Sequence, residues 1–100
     1  AVVDPLKAGN GIMVLCNVSL KQHSKEYSRQ FTSAIAQMDE VVECFNTSGD
    51  YDYMLKIYAR SMPHYQELVL GTLGELDCIG SLHSIFVIGE VKNTMAVPLR

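Results

Sequence analysis

One hundred residues of 48% hydrophobic composition supply one modest core and leave no room for a second domain. The formal charge is −3, with eight Lys and Arg scattered along the chain, so the chain lacks the positive footprint that a polyanion such as DNA requires. Three cysteines at 16, 44 and 78 lack metal-ligand spacing and predict reduced, buried thiols in a cytoplasmic protein, and no apolar run nears the ~20 residues that cross a bilayer.

The start, Ala1-Val2-Val3-Asp4-Pro5, carries no basic flank followed by an apolar stretch, so it does not read as a leader. Residues 11–20, GIMVLCNVSL, are apolar and β-branched and read as a first strand. From Ser24, a plausible N-cap, apolar residues at Tyr27, Phe31, Ala34, Ile35 and Met38 keep one helical stripe. The segment 41–48 alternates as a strand, Ser48-Gly49-Asp50 supplies turn chemistry, and 51–60 resume a strand, which makes a hairpin. A second helix starts at Ser61 with Pro63 in its first turn and presents Tyr65, Leu68, Val69, Leu73 and Leu76 at helical spacing. A last strand, about 82–91, follows Gly80.

The two halves repeat. Ser24 and Ser61 are 37 positions apart, and the pairs Tyr27/Tyr65, Phe31/Val69, Ile35/Leu73, Met38/Leu76 and Asp39/Asp77 are each 38 apart. Two βαβ-like units of this kind predict an α+β, ferredoxin-like βαββαβ sandwich, with two helices on one face of a four-stranded antiparallel sheet.

In such a sandwich, strand residues of opposite parity should be polar if the far face met only water. If Tyr53, Leu55, Ile57 and Ala59 face the helices, Met54 and Tyr58 face away, as do Met13 and Leu15 against Ile12, Val14, Cys16 and Val18. The last strand is apolar on both parities at Ile85, Phe86, Val87 and Ile88. This predicts that the open sheet face is covered by a second copy in a two-fold dimer.

The densest functional signal is Ser48-Gly49-Asp50-Tyr51-Asp52-Tyr53, two carboxylates flanking an aromatic beside a glycine turn. Such a string suits capture of an amino acid, because an ammonium group seeks carboxylates and an α-carboxylate seeks exposed N–H groups. It serves equally as a plain hairpin turn with solvated acids. Asp52 shares parity with Met54 on the open face, whereas Tyr53 reads as core. Ser84 suits either a ligand hydrogen bond or a bond to a neighbouring strand residue.

NTSGDYDYMLKIYA, followed by Ser-Met-Pro, closely resembles the C-terminal effector-binding domain of Lrp/AsnC (feast/famine) transcription regulators. SIFVIGEVKNTMAVPL is similar to the final strand and closing segment of that family, and AVVDPLKAGNG to the stretch that joins its DNA-binding half to this domain. The resemblance spans the chain as one domain, 1–100, with 1–10 as linker remnant. It implies a homodimer, often assembled into an octamer, that binds a small effector such as an amino acid between subunits and thereby biases assembly or operator affinity. It carries an influence on effector response onto Asp52, loop roles onto Gly49, Asp50 and Tyr51, and pocket lining onto Leu82, Ser84 and Phe86, taken to face the subunit boundary. It implies no cofactor, and it leaves DNA contact to a helix-turn-helix half absent from this chain. The chain is then either an excised domain or a stand-alone relative, and the abrupt start favours excision.

Two rival readings share this fold. A small dimeric α/β-barrel monooxygenase or isomerase would need an acid/base pair, for which His83 with Tyr58 is the one candidate. An ACT-like regulatory module would also bind amino acids at subunit boundaries, attached to a metabolic enzyme. His23, His64 and His83 otherwise read as surface or strand residues without metal-ligand spacing, and no nucleophile elbow or phosphate loop is present.

Overall fold

The computed structural model describes residues 11–92, so the linker reading of 1–10 and the end of the closing segment lie outside the described residues. The chain runs β1 (Ile12–Leu20), α1 (Lys25–Ala36), β2 (Val41–Asn46), β3 (Tyr53–Ala59), α2 (Met62–Glu67), a π-helical segment (Leu68–Leu73) and β4 (Ile79–Phe86). Its strands form one antiparallel sheet in the order β2-β3-β1-β4. The two halves therefore interleave through β1 and β3 at the centre, the ferredoxin-like arrangement that the repeat predicts.

Both helices begin at the predicted caps. Ser24 and Ser61 sit in extended backbone, and their hydroxyls accept from the N–H of Tyr27 at 3.0 Å and of His64 at 3.3 Å. The parity argument also holds in the centre of the sheet. Val14, Cys16 and Val18 of β1 and Tyr53, Leu55, Ile57 and Ala59 of β3 are buried against Phe31, Ile35, Met38, Tyr65, Leu68 and Leu73. The Phe31 ring is fully buried, 4.6 Å from the Tyr53 ring centroid, and truncating it to alanine is worth about 3–5 kcal/mol of stability.

The second helix differs from the single run expected from Ser61 to Leu76. Its α-helical part stops at Glu67, and Leu68–Leu73 widen into a π-helix. Gly71 and Gly74 are poor helix formers, and at Gly74 an added Cβ would lie 2.7 Å from the Val69 carbonyl oxygen. Glycine is therefore what lets the chain close this wide turn.

The last strand also shifts, from the expected 82–91 to Ile79–Phe86. Its extent is set by the strand it pairs with: Leu20 meets Ile79 at one end and Val14 meets Phe86 at the other, after which only the Val87 N–H reaches Met13. Gly80 lies next to a register shift between Ser19 and Leu20, where a Cβ would press on Leu20 backbone atoms at 3.2 Å.

The sheet face away from the helices is apolar at one end and polar at the other. Cross-strand rows place Tyr58 beside Met13, then Glu43, Lys56, Leu15 and Ile85, then Phe45, Met54, Asn17 and His83, and finally Ser19 beside Ser81. Phe45 and Ile85 are exposed, and Met13 is buried outside the main core cluster. Lys56 pairs with Glu43 at 3.6 Å, which satisfies the one charged pair in the apolar half. On the edge strand β2 a bulge inserts Val42 between the pairs Val41–Ile57 and Glu43–Lys56.

Candidate functional site

The β2–β3 hairpin is built around the backbone of Asp52. Its carbonyl accepts from Thr47 N–H at 2.8 Å and from the Asn46 amide at 3.0 Å, and its own N–H donates to the Val18 carbonyl at 2.8 Å. The Thr47 hydroxyl closes the loop onto the Tyr51 carbonyl at 3.0 Å. At the tip, Gly49 adopts φ +102°, a conformation that side chains disfavour, which is why this turn carries glycine.

Asp52 does not point onto the open sheet face as its parity with Met54 predicts. It precedes β3, where strand alternation no longer governs direction, and its Oδ2 accepts from the Leu20 N–H at 2.7 Å. The carboxylate thus turns toward the exit of β1 and the start of α1. Its side chain is 19% exposed, and His23 Nδ1 stands 3.5 Å from the remaining oxygen, Oδ1. One oxygen is committed to the backbone, and the other faces outward beside an exposed imidazole.

Asp52 lines a cleft of about 300 Å³. Leu20 and Tyr53 form apolar walls, Ser24, Ser28 and Asn46 add polar groups, and His23 and Lys25 line it with Asp52. The Tyr53 hydroxyl is hydrogen-bonded to Ser28, so the wall next to α1 is fixed. Acid and base face the same small space, the low end of the size range of small-molecule pockets.

The other predicted positions lie elsewhere. Gly49 and Asp50 are exposed, and Tyr51 packs 6.2 Å from the His83 ring at the polar end of the open face. Leu82, Ser84 and Phe86 pair with Val18, Cys16 and Val14, so register puts them in the helix-facing row rather than on the open face. Ser84 hydrogen-bonds the Tyr65 hydroxyl at 2.6 Å, and Phe86 meets the Tyr65 ring edge-on at 5.4 Å. With Met62, Val69 and Leu70, Ser84 and Phe86 line a second groove of about 580 Å³ between α2 and β4. Burial, against a smaller opposing effect of the Ser84 bond, pushes the Tyr65 phenol up to about 12. Burial likewise raises the Cys16 thiol, against the lowering hydrogen bonds of Tyr65 and Ser84. Within one subunit the Asp52 cleft and the Ser84–Phe86 groove are separate places.

His83 and Tyr58 are not brought together. They flank β1 opposite Asn17 and Met13, four residues apart, or about 13 Å along a strand. His64 is less exposed than a surface reading allows, because its Nδ1 accepts from the Arg60 N–H at 2.9 Å and its Nε2 lies 3.3 Å from Glu40. Among the described residues no group of three His, Cys, Asp or Glu side chains is arranged to hold a metal.

The residues that sequence reasoning missed are His23, Ser24, Lys25, Ser28 and Asn46 in their role around Asp52. The signal for some of them was present, since Lys21-Gln22-His23-Ser24-Lys25 concentrates basic side chains at the end of β1 in a chain of net negative charge.

The chain is similar to known transcription regulators. A family model described as the Lrp/AsnC ligand binding domain matches residues 13–97. The DNA-binding transcriptional activator DecR of Escherichia coli is 25% identical over 99 residues, which make up 99% of this chain and 65% of that protein. The leucine-responsive regulatory protein of Klebsiella pneumoniae is 30% identical over 94 residues, 94% of this chain and 57% of that protein. The crystal structure of a transcriptional regulator from Neisseria meningitidis in complex with L-Met superposes with a TM-score of 0.88 at 28% identity, covering 98% of this chain and 63% of that one. The chain thus spans less than two thirds of the length of each.

Proposed function

Because the chain belongs to the Lrp/AsnC ligand-binding domain family of transcription regulators, we propose that it binds a free amino acid at a subunit boundary and thereby tunes self-association and the DNA binding of a larger regulator. One observation carries the choice of ligand. Asp52, with one oxygen held by the Leu20 N–H and the other beside His23, lines a small cleft together with Lys25 and His23, so both charges of a zwitterion meet a complement in one place. Relatives named for leucine response or crystallised with L-Met support the same ligand class.

Self-association through the open face is supported by its apolar half, where Leu15, Met54, Tyr58, Phe45 and Ile85 lie in adjoining rows around the buried Met13. Contiguous apolar surface of this kind marks an interface, and an isologous pair satisfies it with one patch. Gly49, Asp50 and Tyr51 at the hairpin tip, Ser84 and Phe86 in the α2–β4 groove, and Leu82 beside Val18 supply the pocket walls of a neighbouring subunit in assemblies up to the octamer. DNA contact belongs to a helix-turn-helix half, and the site of action is the cytoplasm.

Calorimetry with a panel of the twenty amino acids, combined with light scattering with and without each binder, tests this reading. The expected result is a dimer or larger assembly that binds at least one apolar amino acid and changes size on binding. A monomer at micromolar concentration that binds none of the twenty refutes it.

A further inference from the structure

Lys25 is oddly placed for a residue with only a structural task. It is the first residue of α1, where the helix dipole disfavours a positive charge, and it makes no ion pair among the described residues. The acid of that first turn, Glu26, is already paired with Arg29 at 2.7 Å. His23, two residues earlier, holds a side chain that is 91% exposed, 3.5 Å from Asp52. Two basic groups are thus kept at the rim of a cleft whose carboxylate, Asp52, is held by the Leu20 N–H, at a position where local helix energetics oppose one of them. Locally unfavourable choices of this sort concentrate where a site needs them.

Resting on the amino-acid reading above, we propose that Lys25 and His23 recognise the α-carboxylate of the ligand while Asp52 Oδ1 takes its α-ammonium, so that one subunit alone holds the amino-acid head group. Asp52 is suited to this because the Leu20 N–H fixes Oδ2 at 2.7 Å, while its own N–H donates to the Val18 carbonyl and its carbonyl accepts from the Thr47 N–H and the Asn46 side-chain amide. His23 is the one group that must move, and its exposed, loosely held ring exchanges the Asp52 oxygen for the carboxylate of the incoming ligand. A cleft of about 300 Å³ suits a head group, and the side chain then projects outward to a neighbouring subunit, which sets selectivity separately. The site would therefore read the class of ligand in one subunit and its identity in another.

The test compares L-methionine with L-methioninamide, which keeps the ammonium and loses the carboxylate, on the full chain and its Lys25→Met, His23→Ala and Asp52→Asn variants. Lys25 and His23 are exposed, so their variants should fold, which circular dichroism and melting check. The expected result is that Lys25→Met weakens L-methionine by about tenfold and leaves the amide unchanged, with a smaller loss of the same kind for His23→Ala. Asp52→Asn weakens both ligands. If the wild type binds L-methionine but Lys25→Met weakens acid and amide equally, or neither, the assignment is overturned while amino-acid sensing stands. If neither L-methionine nor any other free amino acid binds the wild type, both readings fall.

Discussion

Replacing Asp52 by alanine removes more than a ligand contact, and the structure says by how much. The Oδ2 atom accepts from the Leu20 N–H at 2.7 Å in a side chain only 19% exposed, so Asp52→Ala leaves a backbone donor at the end of β1 without its partner. A hydrogen bond to a charged acceptor contributes roughly 1.5–3 kcal/mol, and an orphaned donor costs a similar amount. In a domain of this size about 2 kcal/mol lowers Tm by roughly 8–16 °C. Asp52→Asn keeps an oxygen acceptor in the same place, and its expected loss is under about 1 kcal/mol. Thermal unfolding followed by circular dichroism, at one fixed protein concentration because the proposed self-association would shift Tm, separates the two variants. Alanine and asparagine variants that both melt within about 2 °C of wild type would refute the clamp between Asp52 and β1. The comparison also decides which substitution is fit for binding studies, since only asparagine removes the charge without loosening the hairpin.

Further expectations concern the core. Burial holds the Tyr65 phenol near about 12 against its ordinary 10.0, so the folded state keeps a proton that the unfolded chain releases. Its contribution to stability is complete below pH 10 and disappears as pH rises from about 10 to about 12; urea titrations across that range should show a steeper alkaline loss for wild type than for Tyr65→Phe, and parallel curves would refute it. Cys16 and Cys78 are buried and Cys44 is exposed, so a thiol-reactive disulfide reagent should label one cysteine in the folded protein and all three after denaturation. Rapid labelling of two or more in the native state would contradict that packing.

Much of the fold was legible because its determinants are local. Ser24 and Ser61 act as caps through bonds to residues three positions ahead, and the apolar stripes of both helices follow from spacing alone. The alternation in β1 and β3 was equally readable, since both strands are central and packed on one side by helices. What sequence reasoning missed depends on partners far along the chain. The ends of β4 are set by β1, some sixty residues earlier, and the break in the second helix depends on how Gly74 meets the carbonyls of Val69 and Leu70. The hairpin string around Asp52 stood out at once, but the direction of its carboxylate depends on Leu20, which only strand pairing brings near. For the same reason the basic run at Lys21–Lys25 was visible but its nearness to Asp52 was not, and the helix-facing register of Leu82, Ser84 and Phe86 appears only once β4 is paired with β1. Chemistry was readable and orientation was not.

The bulge at Val42 limits how copies of this chain can grow. A sheet with two regular borders can lengthen strand by strand without end, each newcomer copying the last. Here one border is β2, where the extra residue breaks the ladder between Val41 and Glu43 and spoils the template for a flat newcomer. Fibre-like addition along that border is discouraged, while stacking flat side to flat side consumes its own surface after a single partner. Under the flat-face pairing proposed above, association would stop at finite, countable assemblies, which is what a signal carried by the state of assembly requires.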